Sequence, residues 1–146
     1  MINPNLDHVG IVVADLETAM EALSGNLGVE WMGVFDRTLA MHDAEHGTRD
    51  IQLKIAVTTQ YPRLEVIQTI PDTPWALGDD RMLLHHLAYY AGDLGEDSSR
   101  IAGPCPIEIA GVGDGGEIPR TFTYHVHAGL RFELLEPRPG VTVPGQ

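Results

Sequence analysis

The chain has 146 residues, 43% of them hydrophobic, which is enough for a packed core and excludes wholesale disorder. A formal net charge of -12, a single lysine (Lys54) and scattered arginines exclude a polyanion-binding surface, so neither nucleic acid nor an anionic membrane is an expected partner. No apolar run approaches the roughly 20 residues that span a bilayer, the start MINPNLDHVG has no secretory-signal pattern, and the lone Cys105 has no internal disulfide partner, so a cytoplasmic setting is expected.

In chain order, residues 6–13 alternate and are rich in Val and Ile, which predicts a strand. Asp15 can cap a helix whose apolar residues Leu16, Ala19, Met20 and Leu23 recur at i, i+3, i+4 and i+7, with Gly25 and Gly28 ending it. Strands are expected near 30–35, 37–42, 49–58 and 63–70. The stretch PDTPWALGDDRML (71–83) reads as a linker, with a flap over a site as the alternative. A strand at 84–91 then leads to a short helix from Asp93, where Glu96 completes a possible capping box. Strands follow near 106–110, 118–127 and 130–136. Between the first two of these, GVGDGGE (111–117) reads as a glycine-rich hairpin turn. A dinucleotide loop would need the full glycine spacing and a following helix, and this stretch has neither.

The chain also repeats itself. LDHVGIVVADL (6–16) matches LHHLAYYAGDL (84–94) at Leu, His and the final Asp-Leu, and RLEVIQTIP (63–71) matches RFELLEPRP (131–139) at Arg, Glu and the final Pro. Two matches in the same order indicate a duplicated unit. In this register His8 corresponds to His86 and Glu65 to Glu133, while His85 corresponds to Asp7 and is expected at a strand edge facing solvent. Strand alternation sets His8, Gly10 and Val12 on one face, and His86, Ala88 and Tyr90 on one face. Each histidine is followed on its face by a small residue. Both glutamates fall out of phase with their apolar neighbours.

Taken singly, His8 reads as a strand-end histidine and Glu65 as an edge-strand acid in water. Two of each at matched positions point instead to a metal site, because buried carboxylates require partners. Two neutral imidazoles and two carboxylates balance a divalent cation, and the mixed N/O set suits Zn, Ni, Co, Mn or Fe.

Through LDHVGIVVADLETAMEAL, RLEVIQTIP, LHHLAYYAGDL and LRFELLEPRP the chain resembles the vicinal oxygen chelate superfamily over nearly its whole length. That group takes in glyoxalase I, methylmalonyl-CoA epimerase, extradiol dioxygenases and bleomycin-resistance proteins, and the form HHLAYYAGDL most resembles the glyoxalase-like, epimerase-related branch. The resemblance implies an α+β fold of two paired βαβββ modules (5–71 and 84–138, linker 72–83) forming a cup-shaped half-barrel mixed sheet within a single domain, 1–146. It implies His8, Glu65, His86 and Glu133 as ligands of one divalent metal ion, an isomerase, epimerase or lyase acting on a small oxygen-chelating substrate, and a homodimer. Glu65 or Glu133 would move the proton. Glu45 and Asp50 are weaker candidates, for which solvated loop and strand-edge positions are the ordinary alternative. His42, His46, Tyr90, Arg120, Tyr124 and His125 are possible lining residues, with ordinary packing as the alternative for each. An Fe(II) or Mn(II) dioxygenase and a non-catalytic small-molecule binding or resistance protein are the rival readings. A fourth ligand, Glu65, argues against the two-His, one-Glu triad of the dioxygenases.

Overall fold

A computed structural model of the chain describes residues 1–119 and 121–140. Among the described residues there are ten elements: β1 (Leu6–Val13), α1 (Leu16–Leu27), β2 (Trp31–Asp43), β3 (Gly47–Thr58), β4 (Arg63–Gln68), β5 (Met82–Tyr90), α2 (Leu94–Ile101), β6 (Ile107–Gly111), β7 (Phe122–His127) and β8 (Leu130–Leu135). The order is βαβββ twice. The strands belong to one mixed sheet, with neighbours in the order β1-β4-β3-β2-β6-β7-β8-β5.

The chain clusters into two compact units. One consists of His8–Thr38 and Gln52–His85; the other consists of Met1–Asp7, Leu39–Ile51 and the chain from His86 onward.

In the first unit β1 lies parallel to β4, which lies antiparallel to β3. The α1 helix starts where sequence places it: the Asp15 carboxylate accepts from the Thr18 amide at 2.8 Å. It runs through Gly25 and stops at Gly28, whose φ of 67° closes the helix in the left-handed region that glycine adopts without penalty. Its apolar stripe packs Leu16, Ala19, Met20 and Leu23 onto Val13, Ala56 and Val66. The two strands expected near 30–35 and 37–42 are one continuous strand, β2, most of whose middle residues are exposed.

In the second unit β5 lies parallel to β8, and β6, β7 and β8 run antiparallel. The α2 helix repeats the α1 start, with the Asp93 carboxylate accepting from the Glu96 amide at 2.8 Å, and Leu94 packs with Ala91 and Leu134. The expected glycine-rich turn is a loop joining β6 to β7, in which the Gly113 amide donates to the Glu117 carbonyl. β7 and β8 meet at a two-residue turn of Ala128 and Gly129, with φ 51° and 76°; this is the type I′ pattern that matches strand twist.

Candidate metal centre

The strand registers explain why histidine meets glutamate. In β1 and β4, His8 stands opposite Arg63 and Gly10 opposite Glu65. In β5 and β8, Leu87 stands opposite Phe132 and Ala88 opposite Glu133. In each copy the glutamate therefore sits beside the small residue two positions beyond the histidine, on the histidine's face. Gly10 and Ala88 carry little or no side chain, so neither puts bulk beside the histidine and glutamate that flank it. The neighbours Val66 and Leu134 point the other way, under α1 and α2 respectively. The alternation read from sequence is thus the observed one.

The result is two close pairs. His8 Nε2 is 3.3 Å from a Glu65 carboxylate oxygen, and His86 Nε2 is 3.1 Å from a Glu133 carboxylate oxygen. His8, His86 and Glu133 are buried, and the Glu65 side chain is 13% exposed against 7% for Glu133. One ligand atom from each of His8, Glu65, His86 and Glu133 lies within 4.8 Å of the others, a grouping that could hold a metal ion. Its donors are two imidazole nitrogens and two carboxylates. Their combined charge, with neutral imidazoles, cancels that of a divalent cation, and removal from water favours such pairing over isolated ionised groups. On donor chemistry and spacing the residues fit the group.

Aromatic rings wall the second pair. Tyr124, opposite Glu133 in the β7–β8 register, lies with its ring centroid 4.9 Å from that of His86, and Phe122 packs on Tyr124 at 5.5 Å. Tyr124 was one of the residues that sequence offered as lining.

Other expectations need correction. His85 does not face solvent: it is 4% exposed, its Nε2–H donates to the Pro74 carbonyl at 2.7 Å, and it stacks on Trp75. Asp7, its counterpart in the repeat, is also buried, at 3%. The reason is periodicity. His85 shares a face with Leu87 and Tyr89, and Tyr89 packs against the α2 cluster, so that face is a packing face. The segment 71–83 covers its end.

His125 also has a structural setting. It sits one residue along β7 from Tyr124, hence on the opposite face, where Nδ1–H donates to the Cys105 carbonyl at 2.7 Å and Nε2 accepts from Ser98 on α2 at 2.8 Å. Burial lowers its pKa, and the carbonyl bond only partly opposes this.

Glu45 lies exposed in the β2–β3 turn with its amide bonded to the Asp43 carboxylate, and Asp50 is exposed on β3. His42 bonds Thr48, and His46 bonds Asp43, whose carboxyl pKa is lowered: burial pushes it up, but bonds from His46 and the Glu45 amide outweigh that. Tyr90 is buried at the end of β5. Arg120 lies outside the described residues.

The chain is thus of α+β class, with duplicated βαβββ order and a His/Glu group at matched positions of the two copies. The chain belongs to the glyoxalase/bleomycin resistance protein/dioxygenase superfamily, whose family model matches residues 7–103. Solved structures of similar fold include a methylmalonyl-CoA epimerase variant from Streptomyces coelicolor in complex with 2-nitronate-propionyl-CoA. It is 19% identical with a TM-score of 0.64, over 90% of this chain and 95% of that one. The methylmalonyl-CoA epimerase from Mycobacterium tuberculosis is 21% identical with a TM-score of 0.61, over 95% of this chain and 94% of that one. A methylmalonyl-CoA epimerase in complex with methylmalonyl-CoA and ammonium is 19% identical with a TM-score of 0.65, over 95% and 97%. No curated protein matches the chain.

Proposed function

We propose that this chain is a divalent-metal-dependent enzyme that binds a small oxygen-chelating substrate and stabilises enolate-type charge on it, as an isomerase, epimerase or lyase. The observation that carries this reading is the group of four ligand atoms from His8, Glu65, His86 and Glu133 within 4.8 Å of one another. Membership of the superfamily supports it, and the epimerase neighbours favour isomerase chemistry within it. The ion would be Zn, Ni, Co, Mn or Fe, and when bound it supplies Lewis-acid stabilisation of charge developing on a substrate oxygen.

The residues divide the work. His8 and His86 hold through Nε2, each aimed by its strand. Glu133, the more buried acid, holds. Glu65, the more exposed acid, is the proton carrier at the carbon next to the substrate carbonyl. Glu45, exposed in its turn, is the reserve candidate for that step. The same reading has 1–146 acting as one domain in a cytoplasmic homodimer.

Solvent deuterium exchange at the α-carbon tests the reaction, followed by NMR on methylmalonyl-CoA and on small α-hydroxy ketones. Exchange that is abolished by a chelator, restored by metal and indifferent to oxygen is expected. Absence of chelator-sensitive exchange on every probe contradicts the reading, and activity lost on removing oxygen transfers it to the dioxygenase class.

A further inference from the structure

The segment between β4 and β5 is bonded to itself and to its flanks too densely for a tether. The Ile70 amide donates to the Trp75 carbonyl at 3.1 Å, Thr73 Oγ1 donates to the Ile70 carbonyl at 2.7 Å, and the Leu77 amide donates to Thr69 Oγ1 at 3.0 Å. Trp75 is 1% exposed and Leu77 7%. This strap builds the surroundings of His85. Its carbonyl at Pro74 takes the His85 Nε2–H at 2.7 Å, and the Trp75 indole lies over the imidazole at 21° with centroids 6.2 Å apart.

His85 is followed directly by His86. Successive strand side chains leave the backbone on opposite faces, so the frame that fixes one fixes the departure direction of the next. The residues before the clamp, Met82 and Leu84, are exposed at 60% and 66% and supply no comparable anchor. Glu133 and Tyr124 hold the imidazole itself, whereas the clamp holds the backbone from which it departs, so loosening the clamp shifts part of the ordering of His86 from folding to binding.

We propose that His85, clamped by Pro74 and Trp75, is a positioning residue that presets the His86 imidazole for metal binding. The inference rests on the reading of His86 as a ligand. Groups that orient metal ligands typically contribute 10–100-fold in affinity. His85 acts through the backbone, so the expected effect is about tenfold, at the lower end of that range.

The test is Co(II) titration of the whole chain, read by the visible absorption of the bound ion, for wild type, His85→Ala and His85→Gln. Glutamine keeps a side-chain N–H that can donate to the Pro74 carbonyl. Wild type is expected to bind one Co(II). His85→Ala is expected to raise Kd about tenfold and alter the visible band, and His85→Gln to restore most of both. Equal affinity in wild type and His85→Ala, with only a lower thermal midpoint, overturns the proposal, as does failure of glutamine to rescue. If His85→Ala does not fold, Trp75→Phe, which keeps the apolar plug and removes the indole stack, is expected to weaken Co(II) binding in the same direction; unchanged affinity overturns the proposal. Failure of wild type to bind Co(II) removes the underlying ligand assignment instead, so the two failures are distinguishable.

Discussion

The two His–Glu pairs have the same construction but different surroundings. Both use a parallel strand pair, both set a small residue opposite the acid, and both close to within 3.1–3.3 Å. Yet α1 has 12 residues and α2 has 8, and β2 is mostly exposed where β6 is short and mostly buried. The pair geometry therefore follows from strand register and alternation, not from the helices that cover each sheet face. What does vary is shielding: Glu133 has Tyr124 opposite it in the register, whereas Glu65 is the more exposed of the two acids.

If shielding divides the two acids by role, the largest expected effect is on chemistry. Glu65→Gln should lower the deuterium-exchange rate by about 10²–10⁴-fold, the usual worth of a proton carrier, while leaving metal content partly intact. Glu133→Gln should instead act mainly through lost metal. Equal effects on both quantities in both variants would erase the distinction. On stability, Leu134→Ala, which empties the space under α2, should cost about 2–5 kcal/mol by denaturant unfolding without moving the His86–Glu133 register. A loss well below that would mean the α2 side can collapse.

Two acid responses of opposite origin belong to the second unit. His125, with its pKa held down by burial, binds a proton more readily unfolded than folded. Stability should therefore fall as pH drops below the ordinary imidazole value of 6.5, and chemical unfolding followed across that range should flatten in His125→Gln. Asp97 behaves oppositely in origin. Burial pushes its pKa up, but the Arg100 guanidinium and the Gly92 and Asp93 amides outweigh this and hold it at about 2. Its contribution is present above the ordinary value of 3.8 and is lost as pH falls through about 2, a limb that Asp97→Asn should lack. The smallest effect is expected at the β7–β8 turn. Ala128, at φ 51°, occupies a conformation costly for a residue with a Cβ, so Ala128→Gly should stabilise by about 1 kcal/mol.

Much of this architecture is legible in the sequence because it is periodic. The alternation in 6–13 and 84–91 fixes which face each histidine takes, and Asp15 and Asp93 mark both helix starts by a chemistry that needs no tertiary context. The repeat pairs the correct glutamates with the correct histidines because parallel register is carried by the same offset in both copies. Burial of His85 was missed although its phase with Leu87 and Tyr89 signals a packing face; a polar residue at a strand edge invites a solvent reading, and what covers it, Trp75, comes from a segment with no period at all. The fusion of two expected strands into β2 was hidden for a related reason. Asp36, which falls between the two expected strands, is a poor strand former, whereas the strand runs unbroken through it from Trp31 to Asp43.

The most direct measurement is elemental analysis of the purified chain beside His8→Ala, Glu65→Ala, His86→Ala and Glu133→Ala, each checked for folding by circular dichroism. The account predicts one divalent ion per wild-type chain and a clear loss of metal in the folded variants. Full metal content retained in all four folded variants would contradict it.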